Sequence, residues 1–229
     1  MRQIPLDIQL ADYAVFDSFY EGANAAPVFA LRKLLAGNRG LIWLWGGVDS
    51  GKSHLLQALV ADAGMNHLSS VYLPLSEPAM RPGMLEGMGS SGLACIDDVQ
   101  SIAGDPEWEA ALFRLYEELI QSQGHLVVAA NVAPSGVGFA LRDLESRFSS
   151  GATFRLHALN DQDSLQALQK RAAWRGLTLP LETANYLLAR VNRSPSRLFA
   201  LLDALDKEAL AAQRKLTVPF VREILGSAL

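Results

Sequence analysis

Fold and function are both decided by the stretch Leu41-Ile42-Trp43-Leu44-Trp45-Gly46-Gly47-Val48-Asp49-Ser50-Gly51-Lys52-Ser53. Five apolar residues lead into a complete G-x-x-x-x-G-K-S motif, and the apolar-rich segment 55–60 follows it. This order predicts a buried strand, a glycine-rich loop and a helix, the setting in which the motif binds phosphate. A glycine-rich turn that matches by chance is the alternative, and the flanking strand and helix weigh against it.

The residue types of this loop suit a polyphosphate with its metal ion. Glycines let the backbone turn several N–H groups inward, and the following helix N-terminus favours negative charge. Lys52 is expected to reach the β- and γ-phosphates, and the Ser53 hydroxyl to hold Mg²⁺. The sequence therefore predicts a nucleoside di- or triphosphate with Mg²⁺, bound by Gly46, Gly47, Val48, Asp49, Ser50, Gly51, Lys52 and Ser53.

The amino-acid composition limits the classes of protein to which the chain could belong. The 229 residues are 50% hydrophobic and 19% charged, which is typical of a globular protein with a substantial core. No apolar run approaches the length of a membrane span, and the single cysteine, Cys95, suits a reducing cytoplasm. The formal net charge of −4 argues against broad, sequence-independent DNA binding, although a local basic patch remains possible.

A second motif follows in Leu93-Ala94-Cys95-Ile96-Asp97-Asp98. An apolar strand that ends in a carboxylate, downstream of a P-loop, is the Walker B arrangement, with Asp97 holding Mg²⁺ opposite Ser53. The alternative is a strand end with a turn-forming aspartate. Asp98 stands where many such ATPases carry a glutamate that activates water. Because its side chain is one methylene shorter, we expect slow intrinsic hydrolysis.

Two further polar residues are candidates for the catalytic set. Asn131 ends the apolar run 125–130, where it can reach the γ-phosphate or the attacking water, or simply form a turn before Pro134. Arg147 lies in the helical stretch 141–148. It is either a solvated surface residue or an arginine presented to a neighbour's γ-phosphate, where its planar guanidinium offsets transition-state charge.

The remaining pattern predicts an α/β protein. Apolar runs at 41–45, 70–75, 93–97, 125–130 and 152–156 predict a parallel five-stranded sheet flanked by helices at 25–35, 105–122 and 141–148. The segment 77–92 is predicted as a helix with loops. After residue 160 only helical patterns occur, at 164–175, 182–191, from Ser194-Pro195 onward and near 217–219. Arg197, at the start of the third, could swing onto the nucleotide if this bundle is a lid.

The chain is expected to have three parts: a flexible peptide at 1–11, a nucleotide-binding domain at 12–159 and a helical lid at 160–229. The first part resembles the Q-x-x-L-x-L peptides with which bacterial proteins dock into the sliding clamp of the replicative polymerase. Its clamp-binding residues would be Gln3, Ile4, Leu6 and Ile8.

Several spaced motifs together resemble AAA+ ATPases of the DnaA branch. They are the opening 16–24 with Phe16-Asp17-Ser18-Phe19, the P-loop, the block 95–105, and Ser146-Arg147-Phe148 with Gly151. More narrowly, the chain is similar to the Hda family of DnaA homologues, which inactivate the initiator. The narrower match is carried by residues 3–8, 165–168 and 212–225.

The resemblance implies a negative regulator of chromosomal replication initiation. Such a protein binds ADP or ATP, docks on the DNA-loaded sliding clamp, and offers Arg147 as an arginine finger to ATP held by DnaA. Asn131 falls at the family's sensor I position and Arg197 at sensor II. No DnaA-type DNA-binding domain follows the lid, so contact with DNA is expected mainly through the clamp.

Other classes of function remain open. The chain could be an autonomous AAA+ ATPase that remodels DNA or loads a helicase, a small-molecule kinase, or an adaptor in which nucleotide only stabilises the fold. Its own ATPase is expected to be weak or absent, and it could form a homo-oligomer through the finger face. We expect a cytoplasmic protein with no membrane partner.

Overall fold

The computed structural model describes residues 14–37, 40–190 and 194–227, and these form two compact units. The first contains residues 14–16 and Ala23–Ala158, and the second contains Asp17–Gly22 with the chain from Leu159 onward. The expected clamp-binding residues Gln3, Ile4, Leu6 and Ile8 lie outside the described residues.

The first unit is built on a five-stranded sheet whose paired strands are all parallel. The strand order is β2-β3-β4-β1-β5. The strands are β1 Leu41–Trp45, β2 Ser70–Pro74, β3 Leu93–Asp97, β4 His125–Ala130 and β5 Ala152–Arg155. All residues of β3 and β4 are buried, as expected for inner strands covered on both faces. The predicted sheet is confirmed.

Helices flank the sheet. They are α1 Ala25–Leu34, α2 Lys52–Met65, α3 Pro106–Gln121 and α4 Arg142–Ser149. Helix α3 presents an apolar face that contains Leu112, Leu115 and Leu119, and these side chains are buried in the main core with Trp43 of β1. The parallel arrangement brings the carboxyl ends of all five strands to one edge of the sheet, where the P-loop leaves β1.

The expectation of a helix within 77–92 was wrong. The structure has two short 3₁₀ turns there, Pro82–Leu85 and Met88–Ser90. Prolines and glycines interrupt every possible helical turn. Two of the glycines stand where close packing leaves no room for a side chain. A Cβ atom on Gly89 would collide with the side chain of Glu118, and one on Gly92 with Leu68.

The second unit is a helical bundle of α5 Asp161–Trp174, α6 Leu181–Arg190, α7 Pro195–Ala212 and α8 Val218–Ser227. Its core includes Leu168, Leu187, Leu202 and Phe220. As predicted, Ser194 caps α7 by accepting a hydrogen bond from the backbone N–H of Arg197, with Pro195 at the first helical position. Within the described residues, no helix is both long enough and apolar enough to cross a bilayer.

The entry segment Asp17–Gly22 precedes the sheet in sequence but packs with the bundle. The ammonium group of Lys170, on α5, donates a 2.5 Å hydrogen bond to the carbonyl oxygen of Phe19. This bond joins residues 151 positions apart in the chain, so folding of the bundle fixes the entry segment.

Candidate nucleotide-binding site

The P-loop connects β1 to α2, and two of its glycines are required by geometry. Gly51 caps α2 with φ of +91°, a conformation that favours glycine. A Cβ atom on Gly46 would lie 2.6 Å from the carbonyl oxygen of Leu156, which follows β5. Gly47 has open space around its Cβ position. The loop is therefore tight against the sheet at Gly46 and open at Gly47.

Lys52 folds back over the loop. Its ammonium group donates 2.9 Å hydrogen bonds to the carbonyl oxygens of Gly46 and Gly47, and the residue is 7% exposed. Burial lowers the pKa of Lys52, while the negative charges of Asp97, Asp98 and Asp49 oppose that shift. A polyphosphate in the loop would offer this ammonium group stronger acceptors than the two carbonyls.

Asp97 ends β3 and is 2% exposed. Its Oδ2 atom accepts a 2.7 Å hydrogen bond from the hydroxyl of Tyr72, and its Oδ1 atom accepts one of 3.0 Å from the backbone N–H of Asp98. The hydroxyl of Ser53 lies close to this carboxylate. Burial raises the pKa of Asp97, and the hydroxyl groups of Ser53 and Tyr72 oppose the shift.

These groups fit a magnesium-bound nucleotide. The contact between Ser53 and Asp97 places a hydroxyl and a carboxylate together beside the loop. Among the described residues, no group of three or more His, Cys, Asp or Glu side chains is placed to hold a metal ion. Mg²⁺ commonly binds through one or two protein oxygens and completes its shell with phosphate oxygens and water. The donor set thus suits Mg²⁺ that arrives with a nucleotide.

Asp98 is held by its own hydrogen bonds. The residue has a left-handed backbone with φ of +54°. Its Oδ2 atom accepts from the Ser76 hydroxyl at 2.9 Å, and its Oδ1 atom accepts from the side-chain amide of Gln100 at 3.0 Å. The amide oxygen of Gln100 accepts a 3.2 Å bond from the backbone N–H of Asn131. Both carboxylate oxygens of Asp98 are therefore engaged, and Gln100 links the ends of β3 and β4.

Arg147 lies near the C-terminal end of α4, and 53% of its side chain is exposed. Its Nε atom lies 3.6 Å from Oε1 of Glu117, on α3. A surface pair at this distance contributes little to stability. Helix α4 ends at Ser149, just before β5 begins, so Arg147 lies towards the amino edge of the sheet. The P-loop lies at the opposite, carboxyl edge.

The structure thus gathers part of the predicted set. The P-loop, Asp97, Asp98 and Asn131 all lie at the carboxyl edge of the sheet. Arg147 is at the other edge, and Arg197 is exposed on the first turn of α7 in the second unit. The roles of these residues stay predictions.

Sequence reasoning missed three residues that form hydrogen bonds to the aspartates of this site: Tyr72, Ser76 and Gln100. Tyr72 sits within a short apolar run and reads as an ordinary strand residue. Ser76 and Gln100 lie near predicted strand ends, which was the one available signal.

Residues 161–225 match the family model described as Hda, lid domain. The match spans nearly all of the second unit from α5 to α8.

Solved structures resemble the whole chain. Domain III of the replication initiation protein DnaA from Thermotoga maritima matches with a TM-score of 0.78 and 22% identity, over 96% of this chain and 98% of that one. AMPPCP-bound DnaA from Aquifex aeolicus has a TM-score of 0.66 and 21% identity, over 86% of this chain and 66% of that one.

A second kind of protein shares the fold. The RuvB Holliday junction branch migration motor of Thermotoga maritima has a TM-score of 0.67 and 15% identity, over 96% of this chain and 73% of that one. These likenesses show that the chain shares its fold with DnaA domain III and RuvB. The lid match covers the second unit, and the likeness in fold covers the whole chain.

Proposed function

We propose that this protein, which joins a DnaA-like AAA+ fold to an Hda lid domain, stimulates ATP hydrolysis by DnaA in trans and so restrains replication initiation. In this role the protein binds ADP or ATP with Mg²⁺ in its own P-loop. It docks through residues 3–8 on the DNA-loaded sliding clamp. DnaA left in the ADP-bound form would then be inactive for initiation.

The nucleotide part of the proposal is supported by the site. Lys52, Ser53 and Asp97 supply a cation, a hydroxyl and a carboxylate around a loop with open space at Gly47. DnaA from Aquifex aeolicus, which shares this fold, has been solved with AMPPCP. An adenine nucleotide with Mg²⁺ is therefore the ligand that we assign to the P-loop.

The observation that carries the proposal is the position of Arg147. Its guanidinium group is mostly exposed and lies towards the amino edge of the sheet, whereas the chain's own P-loop is at the carboxyl edge. An arginine placed there cannot serve the nucleotide of its own domain, but it can reach one held by another protein. Its pairing with Glu117 is weak, so moving the arginine from Glu117 to such a nucleotide costs little free energy.

The deciding experiment measures hydrolysis of radiolabelled ATP bound to DnaA, with and without this protein and with and without clamp loaded on DNA. We expect acceleration only when both are present. Arg147→Ala should remove the acceleration, since one arginine finger contributes a factor of about 10³–10⁵ to the rate. The affinity of the Arg147→Ala protein for ADP should stay unchanged.

Arg142→Ala is the matched control. Arg142 is also an exposed arginine of α4, but it is the first residue of the helix, at the end opposite Arg147. Deletion of residues 3–8 tests the clamp part separately and should abolish acceleration without changing ADP affinity. Full acceleration by the Arg147→Ala protein would contradict the finger role. Acceleration without clamp would contradict the clamp role.

A further inference from the structure

A buried glutamate, Glu109, connects two loops of the first unit. It lies in the first turn of α3 and is 1% exposed. Its Oε1 atom accepts hydrogen bonds from the backbone N–H groups of Gly104 at 2.7 Å and Ala140 at 3.0 Å. Its Oε2 atom accepts one from the N–H of Leu141 at 2.6 Å. One carboxylate thus satisfies three backbone donors.

The three donors belong to two segments that are distant in sequence. Gly104 closes the segment that follows Asp97 and Asp98, and Leu141 is the N-cap residue of α4. The side chain of Leu141 cannot cap a helix, so the carboxylate of Glu109 acts as the cap from another element. Its negative charge also suits the N-termini of both α3 and α4.

The other end of α4 is anchored by aromatic packing. The ring of Phe148 lies 5.6 Å from that of Trp43, 5.8 Å from that of Phe139 and 6.4 Å from that of Tyr116, measured between ring centres. Phe148 is fully buried, while its neighbour Arg147 points to the surface. Helix α4 is therefore held at its first turn by Glu109 and at its last turn by Phe148.

We propose that Glu109 is a positioning residue for Arg147: by capping α4 it sets the direction in which the arginine meets the nucleotide of its partner. The effect of Glu109 on hydrolysis rests on the proposed function, in which Arg147 acts on ATP held by DnaA. The anchoring of α4 itself is a property of this chain alone. A short helix of eight residues has few backbone bonds of its own, so loss of the cap lets its start move.

The test compares Glu109→Gln with the native protein, using Glu107→Gln as the matched control on the same turn, where the side chain is exposed. Glutamine keeps the size and one acceptor oxygen, but its NH₂ group cannot accept from a backbone N–H. Amide hydrogen exchange should rise about tenfold or more at Ala140, Leu141 or Gly104 in Glu109→Gln, because a charge-assisted bond is lost. Exchange in β1 and β4 should stay unchanged.

The same variants are then assayed on DnaA-bound ATP. In Glu109→Gln we expect the maximal acceleration to fall about tenfold or more, with the half-saturating concentration and ADP affinity unchanged, because a misplaced finger affects the reaction rather than binding. The proposal would be overturned if Glu109→Gln exchanged all three amide hydrogens at the native rate, or if it accelerated hydrolysis fully. Faster exchange throughout the sheet would also overturn it, since that indicates general destabilisation.

Failure of the proposed function gives a different result. If the native protein does not accelerate hydrolysis at all, the function is wrong, and the exchange data alone then decide whether Glu109 anchors α4.

Discussion

The hydroxyl group of Tyr72 lies 2.7 Å from Oδ2 of Asp97 and donates a hydrogen bond to it from the neighbouring strand. The bond favours the ionised carboxylate and so opposes the effect of burial, which raises the pKa of Asp97. Tyr72 itself is difficult to ionise, because burial and the charge of Asp97 both raise its pKa. Tyr72 therefore remains a hydrogen-bond donor throughout the physiological pH range.

We predict that Tyr72→Phe weakens the binding of magnesium-bound ADP but not of ADP alone. Loss of a group that orients a metal ligand typically costs 10–100-fold in metal affinity, so about a tenfold loss is expected. The measurement is titration with a fluorescent ADP analogue, in Mg²⁺ and in EDTA. Tyr116→Phe is the control, since Tyr116 is also a largely buried tyrosine but belongs to α3. Equal affinity of the native and Tyr72→Phe proteins in Mg²⁺ would contradict this prediction.

The two adjacent glycines of the P-loop should respond differently to alanine. Gly46→Ala places a methyl group 2.6 Å from the carbonyl oxygen of Leu156, and backbone must move to relieve the contact. We expect it to lower the free energy of unfolding by about 1–3 kcal/mol. Gly47→Ala meets no atom within 4 Å and should change stability little. Urea unfolding of both variants without nucleotide measures the difference, and equal stabilities would contradict the packing argument.

His125, the first residue of β4, makes stability depend on pH. Its ring is buried, its Nδ1 atom has no hydrogen-bond partner among the described residues, and burial lowers its pKa from 6.5. Below about pH 6.5 the unfolded chain binds the proton more readily than the folded protein does. The free energy of unfolding should therefore fall as pH decreases from 6.5, by at most about 1.4 kcal/mol per pH unit for one proton, until the lowered pKa is reached.

This pH dependence can be measured by urea unfolding at pH 7 and pH 5. In His125→Leu the part due to this residue disappears, so the variant should lose less stability than the native protein between the two values. His157→Gln is the control, because the His157 side chain is exposed. If His125→Leu and the native protein lose equal stability on acidification, His125 does not titrate as inferred.

Sequence patterns were sufficient for the elements with strong local signals. The runs that became β1, β3 and β4 are largely apolar and lead to Gly46, Asp97 and Asn131, so both the strands and the positions of these residues at the strand ends could be predicted. The cap and first-turn proline of α7 were equally readable in Ser194-Pro195.

Residues whose roles depend on distant contacts were not predictable. Glu109 lies in an amphipathic helix, where a glutamate is usually exposed. Its partners Ala140 and Leu141 are about thirty residues away in the chain. Tyr72 meets Asp97 only because β2 and β3 pair in parallel register. No local pattern encodes such pairs, since they arise from strand order and packing of the folded chain.

The lid offers a further test, at the ion pair between a buried arginine and an aspartate. In the second unit the side chain of Arg171 is 5% exposed, and one of its NH₂ groups lies within 3.2 Å of both carboxylate oxygens of Asp203. Its guanidinium also stacks at 4.9 Å over the ring of Phe199. Removing Asp203 leaves the arginine buried beside an apolar ring without this carboxylate, which is costly.

We therefore expect Asp203→Ala to lower the free energy of unfolding of the lid by about 3 kcal/mol. Asp206→Ala is the matched control. Asp206 also lies on α7, but its one ion pair within the described residues is a 3.3 Å contact with Arg175. Arg175 keeps its 2.9 Å contact with Asp203, so loss of Asp206 should cost less than about 1 kcal/mol. Thermal unfolding and hydrogen exchange in α5 and α7 measure both. Similar losses in the two variants would show that burial of Arg171 does not dominate this network.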